Sequence, residues 1–301
     1  MNNRPLHHVD VFAERPLEGN QLAVVLDAGG MDPGLMQRLA REMNISETTF
    51  VMPPDDPAHA ARVRIFTPSV ELPFAGHPTI GTAWVLNECG LVPGGGSEFV
   101  LEEGVGPVRV RGVKSRDGTS FWLTNPQLTF GEVFSDRGAV AAAIGAGESD
   151  LLPEAPVQVV TTGNPFLFIP LRNAKSVDAA APDVIRLAGL FRGQSALPAY
   201  VFAPDGDRRL YCRMFAGHVF GIAEDPASGS AGGPVGAFAV RYGLVPRAQK
   251  VAIVAEQGTK IGRRSMMHIE MTYEGASESP SRIDVGGAVK PVVTGTLADL
   301  G

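Results

Sequence analysis

The sequence predicts a duplicated α+β fold in which sheets wrap around buried central helices, and three observations carry that reading. Short runs rich in β-branched and aromatic residues recur along the whole chain, each bounded by Gly, Pro, Asn or Asp, as strands joined by turns should be. Two helical stretches, Gly76 to Leu86 and Gly229 to Val240, contain no charged residue. A helix apolar on all sides is normally buried. The third observation is an internal echo. Gly19-Asn20-Gln21-Leu22-Ala23-Val24-Val25 resembles Gly163-Asn164-Pro165-Phe166-Leu167-Phe168-Ile169, and Arg64-Ile65-Phe66 resembles Arg213-Met214-Phe215, in the same order. Two such matches in order point to a repeated unit.

The elements follow from local signals. Strands are expected at His8 to Phe12, Gln21 to Leu26, Arg62 to Phe66, Val108 to Val113, Ser120 to Thr124 and Tyr200 to Phe202. Further strands are expected at Leu210 to Phe215, Val251 to Val254, Met267 to Tyr273 and Ala288 to Val293. A helix is expected from Pro33 to about Met43, with Asp32 as its N-cap and proline in its first turn. His77-Pro78 opens a second, ended by Gly90, and Ser228 to Tyr242 reads as another, ended by Gly243. Arg137 to Ile144 and Asp183 to Leu190 read as peripheral helices. The junction between halves is expected near Asn125-Pro126, and a small-molecule site between two such halves would be the usual arrangement.

Composition narrows the function. Among 301 residues, 26 Lys+Arg stand against 32 Asp+Glu, a net charge of −6. With no basic blocks, an electrostatic grip on nucleic acid or an anionic membrane is not expected. The 44% hydrophobic content supplies a packed core. No stretch reaches the ~20 apolar residues of a membrane helix, and the first residues lack the apolar core of a signal peptide, so a cytoplasmic protein is expected. The two cysteines, Cys89 and Cys212, make neither a metal cluster nor a disulfide framework. His77, His218 and Asp225 show no metal-ligand spacing, so no metal is expected.

Chemistry is sought at the starts of the two uncharged helices. Ala75-Gly76-His77-Pro78-Thr79 and Glu224-Asp225-Pro226-Ala227-Ser228-Gly229-Ser230-Ala231 each lead into one. Backbone N–H groups and the helix dipole make such ends ready anion sites. Ordinary capping by Asp225, Ser228 or Ser230 would explain the same residues. Glu47, in Asn44-Ile45-Ser46-Glu47-Thr48-Thr49-Phe50-Val51, reads either as an exposed loop glutamate or as a desolvated proton carrier. His77 reads as an acid/base, a ligand donor or a capping residue.

Taken together, these motifs resemble the PhzF (phenazine biosynthesis) family. The resemblance rests on Gly19-Asn20, Ser46-Glu47-Thr48-Thr49-Phe50-Val51, Arg64-Ile65-Phe66-Thr67-Pro68, Glu71 to Thr79 and Glu224 to Ala231. Gln257-Gly258 and Gly262-Arg263-Arg264-Ser265 extend it, so that it runs from about residue 7 to residue 297. It implies a diaminopimelate epimerase-like fold: two pseudo-symmetric domains, each a curled, mostly antiparallel sheet around a central helix. The domains would be 1-125, joined by a returning strand at about 288-301, and 126-287, with the active site in the cleft between them. It implies a homodimer acting without cofactor on trans-2,3-dihydro-3-hydroxyanthranilate or a similar small carboxylate. Glu47, His77 and Asp225 would be catalytic, with Gly76, Ser230, Gly229, Ser46 and Asn20 binding substrate. One departure is Arg264, where the family commonly has Pro. Two rivals remain at this stage: a two-base racemase or epimerase on the same fold, and a non-catalytic metabolite binder. Cysteine-based two-base chemistry is disfavoured because neither Cys89 nor Cys212 falls in a helix-start loop.

Overall fold

The computed structural model describes residues 4–115, 118–191, 197–216, 223–298 and 300. The chain divides into two compact units, one of residues 1–124 with 286–301 and the other of residues 125–285.

In the first unit β1 (Pro5–Val11) runs antiparallel to β2 (Asn20–Val25). The helix α1 (Pro33–Met43) then carries the chain over to β3 (Glu47–Met52), parallel to β2 with Leu22 opposite Glu47. Asp32 caps α1 as expected, its carboxylate accepting from the Leu35 N–H at 3.0 Å. β4 (Ala61–Phe66) pairs antiparallel with β3, and the two-residue β5 (Glu71–Leu72) folds back on β4. After α2 (Gly76–Glu88), β6 (Glu98–Glu103) lies parallel to β4, followed by the antiparallel β7 (Gly106–Ser115) and β8 (Gly118–Thr124).

The second unit repeats this plan. It comprises β9 (Thr129–Phe134), α3 (Arg137–Ala143), β10 (Val157–Thr161), β11 (Pro165–Pro170), α4 (Ala174–Ala179), α5 (Val184–Leu190), β12 (Ala199–Pro204) and β13 (Arg209–Phe215). β14 (Glu224–Asp225), α6 (Gly229–Arg241), β15 (Lys250–Gln257), β16 (Ser265–Thr272) and β17 (Arg282–Thr296) follow. Parallel pairs fall in the same two places. β2 with β3 and β4 with β6 correspond to β11 with β12 and β13 with β15. The other strand pairs described are antiparallel, so both units are mostly antiparallel, as the resemblance to the PhzF family implies.

β17 begins in the second unit and continues into the first, where it pairs antiparallel with β1, from Pro5 opposite Thr296 to Val11 opposite Val289. It also pairs with β8, so the first sheet closes into a barrel and leaves no edge between β1 and β8. The sequence places this strand only from Ala288, since Gly286-Gly287 bounds the run there. Gly286 instead lies flat against the Trp122 ring, where a Cβ would collide, so the strand runs straight through it.

Both central helices are buried where the absence of charge puts them. Every residue of α2 from Gly76 to Ala83 is buried, and the helix packs on β1, β2, β3, β7 and β8. Gly81 allows that approach; a Cβ there would sit 2.5 Å from Leu22 and 2.7 Å from Val11. α6 is buried among aromatic rings, Phe238 stacking on Phe168 at 6.1 Å and meeting Phe202 edge-on at 5.5 Å. The other helices sit outside the sheets. α1 sets Met36, Leu39 and Ala40 on Val25, Phe50 and Phe66, while Val140, Val177 and Leu187 cover Leu167, Ile169 and Val201.

Candidate functional site

Three predicted residues of the first unit meet at the start of α2. His77 Nε2 lies 3.2 Å from the Glu47 carboxylate. The other ring nitrogen, Nδ1, lies 3.2 Å from the Asn20 amide nitrogen. The cause is local: Asn20 opens β2, Glu47 opens the neighbouring parallel β3, and His77 is the second residue of α2. The Thr49 and Thr82 hydroxyls, 2.9 Å apart, tie β3 to α2 and so hold the two catalytic candidates in one frame. His77 is only 4% exposed and Asn20 is fully buried. Glu47 keeps 14% of its side chain accessible. Burial pushes the His77 pKa down to about 3, a hydrogen bond with the Gln21 backbone opposing it, so the ring is neutral across the physiological range. Ser46 is buried beside Glu47, and Gly76 is the first residue of α2.

In the second unit the loop before α6 is tied by its own network. The Ser228 hydroxyl donates to the Asp225 carboxylate at 2.6 Å. The Gln257 amide donates to the Asp225 carbonyl at 2.7 Å and to Ser228 Oγ at 3.1 Å, and accepts from the Ser228 N–H at 3.3 Å. Gly258 follows with φ +77° and its α-carbon pressed against Pro226, where a Cβ would lie 2.6 Å from the Pro226 carbonyl oxygen. Gln257-Gly258, noted in the sequence only as a pattern, is thus the clamp on the Asp225 loop. Gly229 opens α6, and Ser230 follows, half-buried. Pro234 cannot donate to the Ser230 carbonyl. That oxygen accepts instead from the Thr162 hydroxyl, at 3.4 Å.

The N-cap positions are Ala75 for α2 and Ser228 for α6, and neither gives a side-chain cap hydrogen bond. Ser228 spends its hydroxyl proton on Asp225. Neither side chain fills the anion-favouring start of its helix.

Sequence reasoning missed a matched pair of arginine clips behind these loops. Arg64 holds Glu71 by two hydrogen bonds of 2.7 Å, fastening β4 to β5 five residues before α2 begins. Arg213 holds Glu224 in the same way, at 2.9 and 2.8 Å, before α6. Both arginines were noted in the echo, but their partners were not. Arg264 pairs with Glu256 at 3.4 Å, and Glu256 also holds Arg209 at 2.6 Å, so the departure at position 264 sits in an ion-pair network at the end of β15.

A pocket of about 780 Å³ lies in the first unit, lined by His59, Arg62, Arg64, Glu71, Glu103 and neighbours, and it includes neither Glu47 nor His77. Among the described residues no group of three or more His, Cys, Asp or Glu is placed to hold a metal ion. His218 lies outside the described residues. Among those described, no helix is long and apolar enough to cross a membrane. Both cysteines are free, Cys89 exposed at the end of α2 and Cys212 buried in β13.

Residues 9–295 match the family model of the phenazine biosynthesis-like proteins, PhzC-PhzF. The chain belongs to this family. Among its relatives, an uncharacterised isomerase of Mesorhizobium japonicum is 37% identical over 96% of each chain. The trans-2,3-dihydro-3-hydroxyanthranilate isomerase of Pseudomonas aeruginosa is 36% identical over 93% of this chain and 94% of that one. The crystal structure of a PhzF-family protein from Bacillus anthracis superimposes with a TM-score of 0.89 at 25% identity, covering 99% of this chain and all of that one. The diaminopimelate epimerase-like fold that the PhzF resemblance implies is therefore the fold of this chain.

Proposed function

We propose that this PhzF-family protein is an isomerase that moves a proton between carbons of a small cyclic carboxylic acid bearing amino or hydroxyl groups. Trans-2,3-dihydro-3-hydroxyanthranilate, the substrate named for the Pseudomonas aeruginosa relative, is the first compound to test. The observation that carries the reading is Glu47 placed 3.2 Å from a neutral, buried His77 at the start of an uncapped helix. No cofactor takes part in this scheme.

The Glu47 carboxylate removes a proton from a ring carbon next to an unsaturated system and becomes a carboxylic acid. The electron pair left on carbon shifts the double bonds. Glu47 then returns the same proton to a second carbon on the same face, so atoms and charge balance. The enol so formed tautomerises to a ketone. Gly76 at the α2 start and Gly229 and Ser230 at the α6 start would bind the substrate carboxylate, as such helix ends favour. Asn20 and Ser46 would hold the substrate beside Glu47, while His77 and Asp225 bind its amino and hydroxyl groups. In this scheme the protein would act as a homodimer.

A single carrier suits the internal symmetry. Glu47 is the first residue of β3, and the corresponding β12 begins with Ala199, so the second unit offers no matching carboxylate there. Thiol bases are disfavoured as well, since burial pushes the Cys212 pKa up to about 12 and raises that of Cys89. A positioned general acid/base supplies ~10²–10⁴-fold in rate. The Glu47→Gln variant is therefore expected to fold and bind ligand while turnover drops by ~10²–10⁴-fold, followed by NMR in D₂O. Turnover retained at the wild-type level would refute Glu47 as the carrier.

A further inference from the structure

Glu103 is the last residue of β6 and is 8% exposed. Its Oε1 lies 2.6 Å from the Thr79 hydroxyl oxygen, which lies 2.8 Å from the Ala75 carbonyl. A hydroxyl has one proton to give, and the carbonyl can only accept. The Thr79 hydroxyl can donate to Glu103 or to Ala75, and a protonated Glu103 that donates to Thr79 Oγ1 lets both short contacts be hydrogen bonds at once. Its second oxygen, Oε2, is buried without a hydrogen-bond partner, which a neutral acid tolerates far better than an anion.

Internal symmetry supplies an independent observation. Glu103-Gly104 ends β6 as Gln257-Gly258 ends β15, and both strands follow a central helix. Gly104 and Gly258 both leave room for a proline of the helix-start loop. A Cβ on Gly104 would be 2.8 Å from Pro73 Cα, and one on Gly258 would be 3.1 Å from Pro226 Cα. Glu103 therefore occupies the place of a glutamine, a side chain of the same shape that carries no charge. Gln257 clamps the loop before α6.

We infer that Glu103 is a positioning residue that acts as a carboxylic acid, locking the Ala75–Thr79 turn at the start of α2 as Gln257 locks the turn before α6. Kept neutral, it leaves the start of α2 free to attract an anionic substrate; this last step rests on the function proposed above. Burial raises the Glu103 pKa to about 8, the Thr79 contact pulling the other way. The charged groups of the surrounding elements are otherwise engaged: Arg64 holds Glu71, Arg62 meets Asp55 at 3.2 Å, and Glu102, on the opposite face of β6, meets His59 at 2.8 Å. Arg109 and Arg111 lie on β7 and His77 on α2. Among the described residues none of these forms an ion pair with Glu103.

The folded acid keeps its proton up to about 8, whereas an unfolded glutamate releases it near 4.5. The stability this contributes is full below about 4.5 and is lost as pH rises to about 8. Melting temperatures of wild type, Glu103→Gln and Glu103→Leu are measured from about pH 5 to about pH 9. The wild type is expected to lose stability with rising pH relative to Glu103→Gln; parallel curves would overturn the inference. With trans-2,3-dihydro-3-hydroxyanthranilate as substrate, the wild-type KM is expected to rise above about pH 8, that of Glu103→Gln to stay level, and that of Glu103→Leu to be raised throughout. A Glu103→Gln profile that follows the wild type in KM would also overturn it. The melting curves need no turnover, so they decide the state of Glu103 even if the proposed reaction fails.

Discussion

At neutral pH the His77 ring carries no charge, because burial holds its pKa down to about 3. An unfolded histidine takes up a proton near 6.5. Stability tied to His77 is therefore intact above about 6.5 and is lost as pH falls towards 3, by ~1.4 kcal/mol per pH unit within that window. The ring resonances of His77 are expected to stay fixed between about pH 8 and about pH 5. A titration centred near 6.5 would show the ring to be solvated and its described burial wrong. At this scale the sequence was informative where a motif names the residue. Glu47, His77 and Asp225 stand in recognisable motifs, and the structure brings Glu47, His77 and Asn20 together. Glu103 was not legible, because its protonation depends on burial against elements that precede it in the chain, α2 among them.

Elements show which interactions matter by how deeply they are buried. The Arg64–Glu71 clip is 27% and 43% exposed, whereas the Arg213–Glu224 clip is 8% and 12% exposed. Solvent-exposed pairs contribute about 0–1 kcal/mol. Breaking a buried pair costs about 3–5 kcal/mol, because the remaining charge is stranded. Urea denaturation should therefore find Glu71→Gln nearly neutral and Glu224→Gln costly by about 3 kcal/mol. Equal effects would mean that burial does not distinguish the two clips. Arg213 also donates to the carbonyls of Val177, Asp178 and Ala180 at the end of α4, at 3.0, 3.0 and 2.9 Å. This explains why α4 was missed in the sequence. Its six residues, Ala-Lys-Ser-Val-Asp-Ala, carry no apolar periodicity, and a cation from a distant strand secures its C-terminal end. The other five α-helices among the described residues were legible, each marked by a cap, a proline at its start or a run without charge.

For the whole molecule, the duplication decides what the C-terminal strand is for. β17 fills the gap between β1 and β8, so a chain ending before Gly286 would leave two strand edges unpaired. Such a truncation should be recovered as aggregate, as solubility and light scattering would report, whereas removal of residues 298–301 should not. A soluble, monodisperse product ending at Val285 would show that the barrel does not need its last strand. The echo between halves was readable because the duplicated strands kept their sequence. The closure was not, since pairing between the first and last strands leaves no local mark.

β17 can also be seen as a strand donated from one half of the polypeptide to the other. A chain divided within Asn125-Pro126-Gln127 would yield an N-terminal piece lacking one stave of its barrel and a C-terminal piece carrying that stave as a tail. Expressed together, the two pieces would recognise each other by donor-strand complementation, the tail of one completing the sheet of the other.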